Sequence, residues 1–248
     1  MISVPKRPGT VELLFKSALA MDLQPEWITQ NGLFVITSPT GEHYINHERS
    51  SLNSHVSISL ARNKYHTRLV LDRHNLPNIP YTKVKSLPEA EAFLAAHGTV
   101  IAKPLKGGGS VGIHIIRSAA QLQGLVLSDY ILERYTPGKE MRYLVLQNKV
   151  IGVHESKYGE SVAADRDLER ISYDATTWDS KLVALSLETL RVLGLSFGTV
   201  DYMLHGDNEH YIIEVNSRPG FKWFHAPSEG PSVDVASMFL GAVIRSGS

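Results

Sequence analysis

Two lysines and four glycines fall within ten residues: Lys103, Lys106, Gly107, Gly108, Gly109 and Gly112, with Ser110 among them. Ammonium groups beside a backbone free of Cβ atoms suit an anionic ligand, because peptide N–H groups can approach it without steric cost. An apolar run at 99–102 leads into the stretch and another at 113–116 leads out, so the glycines cap a hairpin between two strands. A Walker-type phosphate loop is a different object, with Lys-Ser/Thr and then a helix after its glycines. Here Lys103 precedes the glycines and β-branched residues follow them. Two readings stay open for the stretch alone: a flexible flap over a phosphate group, or an ordinary glycine-rich turn.

A second group lies about a hundred residues downstream, in Gly198-Thr199-Val200-Asp201 and in Tyr211-Ile212-Ile213-Glu214-Val215-Asn216-Ser217-Arg218-Pro219-Gly220. Strand side chains alternate, so Glu214 and Asn216 share one face while Ile213 and Val215 take the other. Two oxygen-bearing side chains beside a strand carrying Asp201 make a hard-oxygen site for Mg²⁺, with Mn²⁺ as the alternative ion. Taken singly, Asp201 or Glu214 reads equally as a solvated strand residue. Taken with the Lys-plus-glycine stretch, the set reads as a site for Mg-ATP.

Lys103-Pro104 with its glycines, the segment Leu132-Glu133-Arg134-Tyr135-Thr136-Pro137-Gly138-Lys139-Glu140-Met141-Arg142, and Glu214-Val215-Asn216-Ser217-Arg218-Pro219-Gly220-Phe221 together resemble the ATP-grasp superfamily. The likeness runs from about Thr10 onward and is greatest to the ATP-grasp module of cyanophycin synthetase, then to the glutathione-synthetase module of bifunctional glutathione enzymes. It implies an α+β fold of two lobes with mainly antiparallel sheets gripping ATP. The chain would divide into a shortened N-terminal segment (1–60), a first lobe with the flap (61–135) and a second lobe with the metal site (136–248).

The resemblance also implies roles. Lys64, Lys103, Lys106, Gly107, Gly108, Gly109 and Ser110 would hold the triphosphate, and Asp201, Glu214 and Asn216 the metal. Backbone around Glu133, Arg134 and Tyr135 would pair with the adenine edge, and Glu140 would accept the ribose hydroxyls. From the residues alone, Lys64 reads as a surface helix lysine and Glu140 equally as an exposed turn charge. Arg142 shares a strand face with Glu140 and suits a phosphate or a substrate carboxylate. Arg218 would meet the oxyanion or donor carboxylate, or form a structural ion pair. The implied reaction is ATP-dependent ligation of an amino acid or peptide carboxylate to an amine through an acyl phosphate, with Lys103, Arg142 and Arg218 as its catalytic groups. A nucleotide-binding accessory protein without ligase activity is the alternative.

Elements must position these residues. Thr10 caps a helix through Met21, and 34–37 with 42–45 form a hairpin. Residues 54–75 are helical with a break near Asn63, ended by Pro77 and Pro80. A short helix covers 89–96, closed by His97-Gly98. Strands run over 129–135 and 141–145, and amphipathic helices over 178–193 and 233–244. His154 to Asp167, polar and without periodicity, reads as a mobile loop at the mouth of the site, offering Ser156, Lys157 and Ser161 to substrate. Only about sixty residues precede Lys64, so one wall of the cleft would be missing, or supplied by a second copy or a partner subunit.

The 248 residues suffice for one large or two small domains. A formal net charge of zero gives no reason to expect a nucleic-acid or acidic-membrane partner. Absence of cysteine excludes disulfides, thiolate ligands and a Cys nucleophile. With no signal-like or membrane-spanning run, the expected location is the cytoplasm.

Overall fold

Among the described residues, three antiparallel sheets organise the chain around three buried clusters. The computed structural model describes residues 9–47, 49–107, 111–157, 169–206 and 209–246. Helix α1 (Thr10–Ala20) buries Val11, Leu14 and Ala18, the spacing of a one-sided helix. Its N-cap is Gly9 rather than Thr10, and the Gly9 N–H donates to the Glu12 carboxylate at 3.2 Å. Strands β1 (Glu26–Thr29), β2 (Leu33–Ser38) and β3 (Gly41–Asn46) form the first sheet. The 34–45 hairpin is therefore present, and β1, short and mostly exposed, is an edge strand added to it. Phe15, Trp27 and Phe34 close the space between helix and sheet, the first two stacked at 4.2 Å. Helix α6 (Val235–Ser246) buries Val235, Phe239, Leu240 and Val243 in the same cluster.

The second sheet has the order β4-β7-β5-β6, from β4 (Tyr81–Thr82), β5 (Val100–Pro104), β6 (His114–Ile116) and β7 (Tyr130–Arg134). Helix α4 (Leu87–His97), ended by Gly98 at φ +74°, covers it through Ala90 and Leu94. Strands β5 and β6 pair as Val100↔Ile116 and Ala102↔His114, so the glycine stretch does join two paired strands.

The third sheet carries most of the candidate site. Its order is β10-β9-β8-β11-β12, from β8 (Lys139–Leu146), β9 (Lys149–Lys157), β10 (Glu169–Ser172), β11 (Phe197–His205) and β12 (Glu209–Asn216). Helices α2 (His55–Arg62), α3 (Lys64–Arg73) and α5 (Ser180–Leu193) share its apolar face: Ala61, Leu71, Leu182 and Leu190 join Tyr143, Val200, Tyr202 and Val215 in one cluster. The break at Asn63 separates α2 from α3, and the Asn63 side chain accepts from the N–H groups of Tyr65 and His66.

One sequence expectation is corrected here. His154 to Lys157 are not loop; they continue β9, with His154 to Ser156 pairing with both β8 and β10 and Lys157 with β10. Alternation is hidden because this end of the strand carries polar residues that are nonetheless buried, His154 and Ser156 among them. Residues 158–168, including Ser161, lie outside the described residues. No helix among the described residues is long and apolar enough to cross a membrane.

Candidate active site

Register aligns the polar side chains of the third sheet into two rows. Glu214, Asp201, Arg142, His154 and Ser172 are successive cross-strand partners over β12, β11, β8, β9 and β10. Directly opposed residues share a face, so one row of five crosses the whole sheet. Glu140, Ser156 and Arg170 form the neighbouring row. A bulge beside Asp201 shifts the β11–β12 pairing from Asp201↔Glu214 to Tyr202↔Ile212; such bulges re-aim side chains.

Charge along these rows is paired. Arg142 forks onto Asp201, Nε to Oδ1 at 2.7 Å and Nη2 to Oδ2 at 2.5 Å. Asp201 is 2% exposed, and Asn216 Nδ2 donates to its Oδ2 at 3.3 Å. Burial raises the Asp201 pKa, with Arg142 pulling against it, while Arg142 stays cationic. Ser156 donates to Glu140 Oε1 at 2.9 Å, and Arg170 Nη1 lies 3.8 Å from the same oxygen. His154 is buried, its ring 4.5 Å from that of Phe224. Burial, then Arg142 and Arg170, hold its pKa well below that of a free imidazole, so it is neutral at pH 7.

A second set of contacts gathers at β12 from α3 and the second sheet. Lys64, the first residue of α3, donates to the Gly107 carbonyl at 3.1 Å and lies 3.8 Å from Glu214 Oε1. Lys103 Nζ lies 2.7 Å from Glu133 Oε2 and 3.5 Å from the Ile213 carbonyl. The close approach to Glu133 is an ion pair without aligned hydrogen-bond geometry. Glu133 is fully buried, and Arg68 holds its other oxygen at 2.8 Å. Burial opposes its ionisation, but Arg68 and Lys103 outweigh that and leave its pKa below the ordinary carboxylate value. Residues 64, 103, 107, 133 and 214, far apart in sequence, thus meet.

Lys106 is exposed, and Gly107 adopts φ +131°, which other residues rarely tolerate. Gly108, Gly109 and Ser110 lie outside the described residues. The N–H groups of Arg134 and Tyr135 are already taken by the carbonyls of Pro80 and Thr99, and the Arg134 guanidinium sits 4.9 Å from the Tyr211 ring centroid. Arg218 lines a small recess with Arg49, Asn53 and Phe197. Asn53 anchors that corner by donating to the carbonyls of Phe197 and Ser217 and accepting from the N–H groups of Ser196 and Phe197.

Asp201, Glu214 and Asn216 offer two carboxylates and an amide oxygen, a hard donor set that fits Mg²⁺ in kind. Among the described residues no group of three or more His, Asp or Glu side chains is clustered for a metal. Both oxygens of Asp201 are held by Arg142, so a cation would meet Glu214 and Asn216 directly and Asp201 by exchange with that arginine.

Sequence reasoning passed over Arg68, His154 and Arg170. Arg68 was legible as the residue one turn along the helix from Lys64, on the same side. His154 and Arg170 depend on the β9–β10 pairing, and local pattern gives no sign of it.

A family model described as ATP-grasp domain matches residues 61–221. The chain is 33% identical over 181 residues to a D-alanine--D-alanine ligase of Marinobacter nauticus, an alignment covering 66% of this chain and 56% of that protein. It therefore spans little more than half the length of that relative. A bifunctional glutathione synthetase from Pasteurella multocida superposes with a TM-score of 0.69 at 16% identity, over 96% of this chain and 44% of the other. The ATP-grasp ligase PsnB, in complex with a phosphomimetic variant of its minimal precursor, Mg and ADP, gives a TM-score of 0.64 at 18% identity, over 79% and 62%. The matched segment runs from the end of α2 through the β5–β6 hairpin and the whole third sheet, and on this evidence the chain belongs to the ATP-grasp family.

Proposed function

We propose that this protein is an ATP-dependent carboxylate–amine ligase acting on an amino acid or peptide. The observation that carries the reading is the convergence of Lys64 and Lys103 on β12 beside Glu214, across from Asp201 and Arg142. In the reaction, a substrate carboxylate oxygen attacks the γ-phosphorus of ATP. The bond to ADP breaks and an acyl phosphate forms. An amine nitrogen then attacks the acyl carbon, phosphate leaves, and the nitrogen loses a proton to give the amide.

The chain's own residues position and neutralise. Lys64 and Lys103 lie where a triphosphate entering under the glycine hairpin finds two cations. Glu140, which accepts from Ser156 and faces Arg170, is the carboxylate assigned to the ribose hydroxyls. Arg142, once exchanged from Asp201, presents a planar fork to a carboxylate or a phosphoryl oxygen. The neutral His154 beneath it adds no competing charge. Asp201, Glu214 and Asn216 would hold Mg²⁺, which supplies charge neutralisation at the phosphates. Closure of the hairpin would keep water from the acyl phosphate.

The names of the relatives support an amino acid or peptide as substrate: a D-alanine--D-alanine ligase by sequence, and by fold the ATP-grasp ligase PsnB, whose structure has also been determined with a precursor peptide. The test is ADP release from Mg-ATP against pools of amino acids, D-alanine included, and short peptides, with mass spectrometry of the products. Amine-dependent ADP release with a product equal to donor plus acceptor minus water supports the proposal. Tight ATP binding without ADP release in any pool favours the accessory-protein reading.

A further inference from the structure

Besides Lys64 and Lys103, one buried side chain links the second sheet to β12. Arg68 lies one helical turn beyond Lys64 on α3 and is 2% exposed. Its Nε and Nη2 both reach Glu133 Oε1 at 2.8 Å. Its Nη1 donates to Asn78 Oδ1 at 2.9 Å and to the Ile212 carbonyl, and Nη2 donates to the Ile213 carbonyl at 2.8 Å. Asn78 is fixed in turn, since its Nδ2 donates to the Arg68 carbonyl at 2.9 Å and to Asp72 Oδ1 at 2.7 Å. On the far side of Glu133 stands Lys103, which also faces the Ile213 carbonyl.

One guanidinium thus sets two positions: that of the Lys103 ammonium, through Glu133, and that of the β12 backbone immediately before Glu214. We infer that Arg68 is a positioning residue that holds the phosphate-binding lysine in register with the metal-binding strand, so that nucleotide and metal bind as a unit. The inference rests on the reading of the site as a magnesium–nucleotide site. Two cations on the single Glu133 carboxylate leave one net positive charge in this buried set, which an incoming phosphate can use. A planar fork with five donors can satisfy Glu133, Asn78 and two carbonyls together; a compact ammonium with three donors cannot hold that geometry.

The experiment measures ATP affinity by calorimetry, with magnesium and with chelator, for the unmodified chain, Arg68→Lys and Glu133→Gln. Each is assayed at a temperature where circular dichroism shows it folded. In the unmodified chain, magnesium should tighten ATP binding. In both variants Mg-ATP affinity should fall about tenfold or more, the scale of one lost charge-assisted hydrogen bond, and the tightening by magnesium should shrink. Should Arg68→Lys fail to fold, Glu133→Gln, which keeps the side-chain shape, carries the test. Unchanged affinity in a folded variant overturns the inference, as does lost affinity with the magnesium effect intact. No ATP binding by the unmodified chain would instead remove the nucleotide reading beneath it.

Discussion

Replacing Asp201 with asparagine distinguishes a carboxylate that only awaits a metal from one that also holds the sheet together. Asp201 is 2% exposed and takes both arms of Arg142, whose side chain is 19% exposed. Removing one partner of a buried ion pair costs about 3–5 kcal/mol, because the remaining charge stays buried without compensation. Partial exposure of Arg142, and the carbonyl oxygen that asparagine still offers it, place Asp201→Asn at the low end, about 3 kcal/mol. For a chain of this size that is roughly 6–12 °C in Tm, at about 2–4 °C per kcal/mol. Adding Arg142→Met removes the stranded charge, so the double variant should regain at least about 1 kcal/mol relative to Asp201→Asn. ADP release should stay lost in both. Urea titrations followed by circular dichroism on the four proteins of the cycle give the coupling directly. A loss below about 0.5 kcal/mol for Asp201→Asn, or simple addition of the two single losses, would refute the reasoning.

Three further outcomes follow from the same geometry. Glu214 is about one-third exposed at the side chain and its nearest cation, Lys64, is 3.8 Å away; Glu214→Gln should leave stability within about 0.5 kcal/mol yet abolish ADP release, and a large fall in the urea midpoint would contradict this. A Cβ on Gly138 would stand 2.0 Å from the Leu204 carbonyl oxygen, so Gly138→Ala should push β8 from β11 and cost about 1–3 kcal/mol, read by the same titration. His154 resists protonation in the fold, so as pH falls through its unfolded pKa of about 6.5 the unfolded chain binds a proton that the native state refuses. Stability should therefore decline from about pH 7 to about pH 5, with His225, depressed in the same direction, contributing a share. His154→Phe should flatten that decline, and an unchanged slope would count against the buried neutral imidazole.

Local features were legible in proportion to how local their causes are. Asn63 announced a helix break because its side chain caps the N–H groups two and three residues on. The glycine stretch announced a hairpin because apolar runs flank it on both sides. The alternation of Glu214 and Asn216 against Val215 marked a half-buried strand. Glu133 was different: its strand was foreseen, but its side chain, taken as incidental to a backbone role, is an ion pair with Arg68 and Lys103 that only tertiary packing assembles. The polar run at 154–157 read as loop because a buried polar sheet face has no apolar period, and its pairing with Glu169–Ser172 spans a long separation. Residue types and spacing gave Lys103, the glycines and the Asp201, Glu214 and Asn216 set, and the resemblance to the ATP-grasp superfamily added Lys64 and Glu140, yet neither gave a hint that Arg142 grips Asp201 or that Arg68 ties the lysine to β12.

The acyl phosphate is the centre of the account, and oxygen transfer tests it most directly. A carboxylate donor found by product screening is labelled with heavy oxygen at both carboxylate positions and turned over with Mg-ATP and its amine. Mass analysis of the released phosphate then reports the route. The account predicts one heavy oxygen in each phosphate and one retained in the amide. Phosphate without label, beside amide formation, would show that the carboxylate never bonded to phosphorus and would contradict it.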